Sequence, residues 1–135
     1  MVVALAVAAL ALLAPAVPAV RGAQLTDVTF KEATWDAVNL DAVTAEGKWG
    51  VLGDWNVSGV KDFSYAFSLI RDAAGAYYVE NGNPKAATFI AVGIEKWITT
   101  ACTTLQRTFY GAKEMNSDLA GWDVAKVTSL SYTFA

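Results

Sequence analysis

The spacing of hydrophobic residues changes twice along this 135-residue chain. Residues 1–20 form a continuous apolar run without a charged side chain. Between residues 25 and 46, apolar side chains recur every three or four positions, which predicts a helix, and Gly47 stands just past its expected end. From residue 52 onward, apolar positions first alternate and then follow steps of three and four. This second pattern predicts a short strand followed by one to two helical turns.

The strand-and-turn pattern occurs three times. The segments LGDWNVSGVKDFSYAF (52–67) and LAGWDVAKVTSLSYTF (119–134) are identical at seven of sixteen paired positions. The segment IEKWITTACTTLQRTF (94–109) is a weaker copy that begins 25 residues before the last one. A fixed period of this length is typical of a solenoid, because no single repeat can bury its apolar face without its neighbours.

The spacing within each copy predicts the fold class. Each copy opens with an apolar residue, two others, Trp, one other, and then Val or Thr, which matches the L-x-x-L-x-L core of a leucine-rich repeat. We therefore predict a repeat solenoid of leucine-rich-repeat-like coils, each with a short parallel strand and a short helical turn, behind an N-terminal helical cap. The predicted structural core of the repeats comprises Leu52, Trp55, Val57, Val60, Phe63, Phe67, Ile94, Trp97, Cys102, Leu105, Phe109, Leu119, Trp122, Val124, Val127, Leu130 and Phe134.

These patterns divide the chain into segments. We predict a signal peptide at residues 1–22. A helical cap with its lead-in follows at 23–51, and the repeats occupy 52–135. The three copies lie near residues 52–67, 94–118 and 119–135. The first two copies are 42 residues apart, and an insertion loop at 68–86 accounts for the excess. Loops on a rigid scaffold often carry function, but long insertions are also well tolerated, so both interpretations stay open.

The first twenty residues predict where the protein acts. An apolar run that ends in Pro and small residues is typical of a secretory signal peptide, and Pro15 and Pro18 argue against a continuous spanning helix. We predict cleavage after Ala19 or Gly22 and a secreted or cell-surface protein. The alternative is an uncleaved membrane anchor, since about 20 apolar residues can span a bilayer and no Lys or Arg precedes the run.

The repeat resembles a known family pattern. The residues W-D-V-A-K-V-T-S-L-S-Y-T-F-A, preceded by F-Y-G-A-K-E-M-N-S-D-L-A-G, resemble the BspA-type leucine-rich-repeat surface proteins. They look more like the subgroup whose repeat reads roughly F-x-x-A-x-x-F-N-x-D-[LI]-x-x-W-[DN]-V-S-x-V-T-x-M-x-x-M-F. The resemblance covers about residues 52–67 and 87–135. It implies a solenoid fold and a non-enzymatic role in adhesion or protein–protein contact, without naming a partner.

Composition argues against several kinds of chemistry. The 10 basic and 13 acidic residues are scattered, whereas nucleic-acid binding needs clustered Lys and Arg. The chain has no His and a single Cys, Cys102, so Ser-His-Asp sites, the usual zinc sites and an intramolecular disulfide are excluded. We predict no enzymatic activity, no metal and no cofactor, and a secreted hydrolase with paired carboxylates is the least favoured alternative. Cys102 takes the position of Val60 and Val127 and is predicted to be a buried thiol.

The predicted binding face consists of the positions that alternate with the inward-pointing ones. Solenoids commonly bind partners on such a face, and these residues vary between copies while the inward positions hardly change. The predicted partner-binding residues are Asp54, Asn56, Lys96, Ile98 and Asp123. The expected partner is another protein or surface macromolecule, with a membrane involved only if the N-terminal segment is retained. The alternative is a lectin-like module that binds glycan through exposed Trp and Tyr, although Trp55, Trp97 and Trp122 are predicted to form an internal ladder.

Two further expectations concern the surface. Asn56 begins the sequon Asn56-Val57-Ser58, a candidate site of N-glycosylation. The third copy stops at Phe134-Ala135, where a solenoid would need a polar capping unit. The sequence is therefore expected to be a fragment of a longer repeat array, with Leu130 and Phe134 facing water on one side.

Overall fold

The computed structural model describes residues 22–135. The predicted signal peptide, residues 1–22, lies outside this part except for Gly22. Two α-helices come first, α1 (Asp27–Asn39) and α2 (Ala42–Trp49). Three short 3-10 helices follow at Leu52–Asp54, Pro84–Ala87 and Ile94–Lys96. Within residues 22–135, no helix combines the length and the apolar character needed to cross a membrane.

The single helix predicted over residues 25–46 is two helices, because a capping residue interrupts it. Thr26 begins α1 with a reciprocal capping box to Thr29. The carboxylate of Asp41 accepts a hydrogen bond from the backbone N–H of Thr44 at 2.9 Å and so begins α2. Hydrogen bonds from the Thr44 backbone and hydroxyl lower the pKa of Asp41. Asp is a strong N-cap because its oxygen satisfies a backbone donor that the helix leaves free.

The two helices are held together at one carboxylate. Asp36 of α1 accepts hydrogen bonds from the indole N–H of Trp49 at 2.8 Å and from Lys48 Nζ at 2.9 Å, both in α2. The pKa of Lys48 is raised, mainly by its hydrogen bond to Asp36 and secondly by its hydrogen bond to Glu32. The helical cap is therefore fixed by a polar contact as well as by its apolar face.

The predicted fold class is wrong. Residues 22–135 contain no strand and no sheet, only isolated bridges such as Asp62 with Thr104 and Thr104 with Ser129, and both α-helices lie before the repeats. The chain is therefore not a strand–helix repeat solenoid. The physical reason lies in the backbone of each copy. The predicted strands begin with 3-10 helices at Leu52–Asp54 and Ile94–Lys96, and the N–H of Val60 closes a turn to the carbonyl of Val57 at 2.9 Å. In the predicted helical turns, Tyr65, Arg107 and Tyr132 have φ angles of 61°, 52° and 55°, in the left-handed region that a right-handed helix does not contain.

The three copies nevertheless lie side by side as stacked turns. The N–H of Tyr65 donates to the carbonyl of Gln106 at 3.0 Å, and the N–H of Arg107 donates to the carbonyl of Ser131 at 2.9 Å. Alternate residues instead close turns within their own copy, as when the N–H of Thr108 donates to the carbonyl of Leu105 at 3.2 Å. Backbone pairing between copies thus alternates with turn formation inside each copy.

A row of stacked indoles fills the core. The Trp97 ring lies between those of Trp55 and Trp122, with centroids 5.8 and 6.0 Å away and planes within 15° of parallel. Each indole N–H donates to a backbone carbonyl, which satisfies the polar atom of a buried ring. The acceptors are the carbonyls of Gly50, Leu52 and Ile94, at 3.1, 2.8 and 2.8 Å. All three Trp side chains are buried.

Three predicted core positions are exposed instead. Val124, Leu130 and Phe134 are 48%, 60% and 66% exposed, because no described segment packs on that face of the third copy. Leu52, Leu119 and Val127 are half-buried. The other predicted core residues are buried: Trp55, Val57, Val60, Phe63, Phe67, Ile94, Trp97, Cys102, Leu105, Phe109 and Trp122.

We expect Cys102 to resist thiol reagents while the protein is folded. Its side chain is 1% exposed, and burial raises its pKa to about 11. Little thiolate therefore exists at pH 8, and the thiolate is the reactive form. Labelling kinetics with an aromatic disulfide reagent, with and without denaturant, measure this. Equal rates for the native and the denatured protein would show that Cys102 is accessible.

Candidate recognition surface

The predicted binding residues lie at the surface but form no enclosed site. Asp54, Asn56, Lys96, Ile98 and Asp123 are all exposed. Asp54 and Lys96 form an ion pair at 3.4 Å, with side chains 57% and 59% exposed, and such pairs contribute little to stability. These residues are accessible to a partner, and their role in binding stays a prediction.

The sequon at Asn56 is also accessible. The side-chain amide donates to Gln24 Oε1 at 2.9 Å, and its oxygen accepts from the Ser58 hydroxyl at 2.6 Å. Glycosylation of Asn56 stays a prediction.

A second surface, which the repeat pattern did not predict, gathers every tyrosine of the chain. The sequence contains five Tyr residues. Four of their rings lie within 6 Å of the Arg107 guanidinium, and the fifth, that of Tyr77, stacks on Tyr65. We call this group the tyrosine cluster, and it consists of Tyr65, Tyr77, Tyr78, Tyr110 and Tyr132, with Arg107 at its centre. Within it, Tyr77, Tyr78 and Tyr132 are 43%, 64% and 58% exposed.

The repeat geometry supplies half of the tyrosine cluster. Tyr65, Arg107 and Tyr132 occupy the same position in the three copies, and all have the left-handed backbone described above. Such a conformation costs of the order of 1–3 kcal/mol in a non-glycine residue and persists only where the surroundings enforce it. The hydrogen bonds between copies at Tyr65 and Arg107 provide that constraint. The three side chains are therefore aligned by the stacking itself.

The insertion loop at 68–86 supplies Tyr77 and Tyr78, and Arg71 fixes this loop to α1. The Arg71 side chain is 1% exposed. Its guanidinium donates to the carbonyls of Lys31, Ala66 and Asp72 at 2.9, 3.1 and 3.1 Å, and to the Thr34 hydroxyl at 3.1 Å. Burial lowers the pKa of Arg71.

The far end of the loop is held as well. The side-chain amide of Asn83 donates to the carbonyl of Ser68 at 3.1 Å, and its oxygen accepts from Asn39 at 2.9 Å. Asn83 is fully buried. Because both ends are anchored, the two loop tyrosines have fixed positions.

Tyr77 stacks on Tyr65 and joins the loop to the first copy. The two ring centroids are 4.0 Å apart and the planes differ by 9°. The Tyr77 hydroxyl accepts a hydrogen bond from Lys31 Nζ at 3.0 Å. Tyr65 is almost completely buried, and that burial, followed by its hydrogen bond with Tyr78, raises the pKa of its phenol. The phenol of Tyr65 therefore stays neutral at physiological pH.

Arg107 is enclosed by aromatic rings. Its guanidinium carbon lies 4.4 Å from the centroid of the Tyr132 ring and 5.0 Å from that of Tyr78, with the Tyr65 and Tyr110 rings each at 5.9 Å. Contacts of this kind contribute about 0.5–1 kcal/mol each where they are exposed. Nη1 donates to the hydroxyl of Tyr78 at 3.1 Å and to that of Tyr65 at 3.4 Å. Nε is buried and has no partner in the described chain.

The residue types of the tyrosine cluster are those typical of protein interfaces. Tyr and Arg are enriched at the energetic centres of protein interfaces, since they combine a large apolar area with hydrogen-bonding groups. In residues 22–135, no group of three or more His, Cys, Asp or Glu residues is placed to hold a metal ion. The sequence signals for the cluster were a Tyr at the same position in the first and third copies and the tyrosine pair in the inserted loop.

The fold and the surface together define a helix-capped stack of turn repeats with one aromatic face. The chain belongs to the family described as Mycoplasma protein of unknown function, DUF285, whose model matches residues 49–135. The matched part includes all three copies and the insertion loop, and so the whole tyrosine cluster. No curated protein and no solved structure matches the chain.

Proposed function

We propose that this protein is a non-enzymatic recognition module of the adhesion type, that it binds another protein, and that the tyrosine cluster is its contact surface. The observation that carries the proposal is the placement of all five tyrosines and Arg107 on one surface, with three of the rings open to solvent. The resemblance to BspA-type surface proteins and the apolar N-terminal run support a secreted or cell-surface location within the same proposal.

The rigidity of the tyrosine cluster favours binding. Tyrosine loses little conformational entropy when it is immobilised, because it has only two side-chain torsions. Here Arg71 and Asn83 already hold the loop tyrosines in place. A partner therefore meets a pre-organised surface, and pre-organisation improves affinity by reducing the cost of ordering.

The glycan alternative rests on the tyrosines alone. Trp55, Trp97 and Trp122 are 4%, 3% and 8% exposed, and each indole N–H already has an acceptor inside the protein. None of these three rings is available as a platform for a sugar. A lectin-like role would need Tyr77, Tyr78 or Tyr132.

We expect the double variant Tyr78→Ala/Tyr132→Ala to lose its partner in a pull-down from native surface extract. Both side chains are more than half exposed, so the loss should be limited to their contacts with Arg107, about 0.5–1 kcal/mol each. The protein should therefore stay folded, with a melting temperature lower by several degrees. The matched control is Asp54→Ala/Lys96→Ala/Asp123→Ala, which alters the predicted binding face and should retain the partner.

The opposite outcome would favour the other surface. If the triple variant loses the partner and the double variant keeps it, the binding site is the face predicted from the repeat pattern. Soluble glycans that displace the captured protein would instead support the lectin-like role.

A further inference from the structure

Resting on the proposed function, we infer that Arg107 is the anchor for an acidic partner and receives a carboxylate group of the bound protein. The inference depends on three properties of this side chain. Within residues 22–135 it has no carboxylate as a counter-ion, one edge of its guanidinium has no acceptor there, and aromatic rings enclose it.

Arg107 combines two features that no other cation of the described chain shares: it is partly withdrawn from water, and part of its guanidinium has no acceptor. Arg71 is buried without a carboxylate as well, but its Nε, Nη1 and Nη2 all donate to protein oxygens. Lys31, Lys48 and Lys96 each form an ion pair with a carboxylate. The lysines without such a pair are exposed to water: Lys61, Lys85, Lys113 and Lys126. Arg107 is half-buried and, within residues 22–135, pairs with no carboxylate at all. A charge withdrawn from water without a partner is costly, and a carboxylate offsets that cost.

The donors of Arg107 leave one edge for a ligand. Nη1 is hydrogen-bonded to the hydroxyls of Tyr65 and Tyr78, and Nε is enclosed. Nη2 donates to no other described residue. A carboxylate can therefore accept from Nη2, and hydrogen bonds between ionised groups are the strong ones.

The surrounding rings strengthen the attraction. Four aromatic rings lie within 6 Å of the guanidinium, and they exclude water from its flanks. Charges interact more strongly where the effective dielectric constant is low. The formal net charge of the whole chain is −3, so long-range attraction does not draw in an acidic partner, and recognition must depend on this local site.

The experiment uses the full chain labelled with 15N and follows the Nε–Hε signal of Arg107 by NMR. The probes are a short glutamate peptide and a glutamine peptide of the same length. We expect the glutamate peptide to shift the Arg107 signal and the glutamine peptide to leave it unchanged. Arg107→Gln and Arg107→Lys should both weaken binding of the glutamate peptide about tenfold or more, because Lys lacks the planar donor edge. The control Lys126→Gln removes an exposed positive charge and should bind like the parent.

The results that overturn the inference are equally specific. Equal binding of the two peptides, or equal binding by Arg107→Gln and the parent, would show that no carboxylate is recognised. A sulfated oligosaccharide that shifts the Arg107 signal where the glutamate peptide does not would assign the site to an anionic glycan. If the inference fails while Tyr78→Ala/Tyr132→Ala still loses the captured protein, the proposed function stands and only the acidic chemistry of the partner is wrong.

Discussion

Replacing Trp97 with Ala is expected to lower the free energy of unfolding by about 3–5 kcal/mol, as the loss of a large buried aromatic usually does. Trp97 is 3% exposed and is the middle ring of the indole row. It also meets the edges of Phe30 and Phe63, with ring centroids 5.8 and 6.1 Å away. Removal of its side chain would open a cavity between the helical cap and all three copies.

Urea denaturation followed by circular dichroism measures this effect. Trp122→Ala is the matched control, since Trp122 stacks on one indole only and is slightly more exposed, and it should cost less. Because small domains have only about 5–15 kcal/mol of stability, Trp97→Phe provides a milder variant if Trp97→Ala does not fold. A Trp97→Ala protein that unfolds at the same urea concentration as the parent would contradict the described core.

Replacing Arg71 with Met is expected to cost about 2–4 kcal/mol and to release the insertion loop. The change removes the donors that Arg71 provides to the carbonyls of Lys31, Ala66 and Asp72. The carbonyls of Lys31 and Asp72 keep the Thr34 hydroxyl and the Gly75 N–H as donors, whereas that of Ala66 keeps none in the described chain. Carbonyls that stay buried without a donor carry the full cost of desolvation. The loop should then exchange its amide hydrogens faster, and the stacking of Tyr77 on Tyr65 should be lost.

Denaturation and hydrogen exchange over residues 72–80 together test the role of Arg71. Lys113→Met is the control, since it replaces an exposed cation with the same residue, and it should change neither measurement. If Arg71→Met unfolds like the parent and its loop keeps the same exchange rates, Arg71 is not the anchor of the loop.

The buried rows of the fold could be predicted from the sequence, but the backbone that presents them could not. The repeated Trp positions indicated a ladder, because a residue type that recurs at a fixed period must meet its own copies when the repeats stack. The alternation around Trp55 and Val57 was interpreted as a strand. A 3-10 helix at Leu52–Asp54 and a turn from Val60 back to Val57 occupy that segment instead. The left-handed residues Tyr65, Arg107 and Tyr132 interrupt the predicted helical turns, and neither Tyr nor Arg favours that conformation by itself.

The tyrosine cluster could not be predicted from the repeat pattern, for a different reason. Tyr77 and Tyr78 lie in the insertion, and their position depends on contacts between Arg71 and α1 that are distant in sequence. An Arg in a loop is ordinarily expected at the surface, so nothing in the sequence marked Arg71 as a buried anchor. The role of Thr99 could not be predicted from the repeat pattern either. Thr99 occupies a position at which the other copies have Val, and its hydroxyl donates to the carbonyl of Asp123 at 3.0 Å, which joins two copies.

The central claim, that the tyrosine cluster is the surface that contacts another protein, is tested most directly by site-specific photocrosslinking. A photoreactive phenylalanine analogue is placed at Tyr78 in one sample and at Ile98 in another. These side chains are 64% and 62% exposed, so both are equally open to an encounter, but Ile98 belongs to the face predicted from the repeat pattern. On irradiation in native surface extract, the account predicts a discrete protein adduct from position 78 and none from position 98. An adduct from position 98 alone would contradict it.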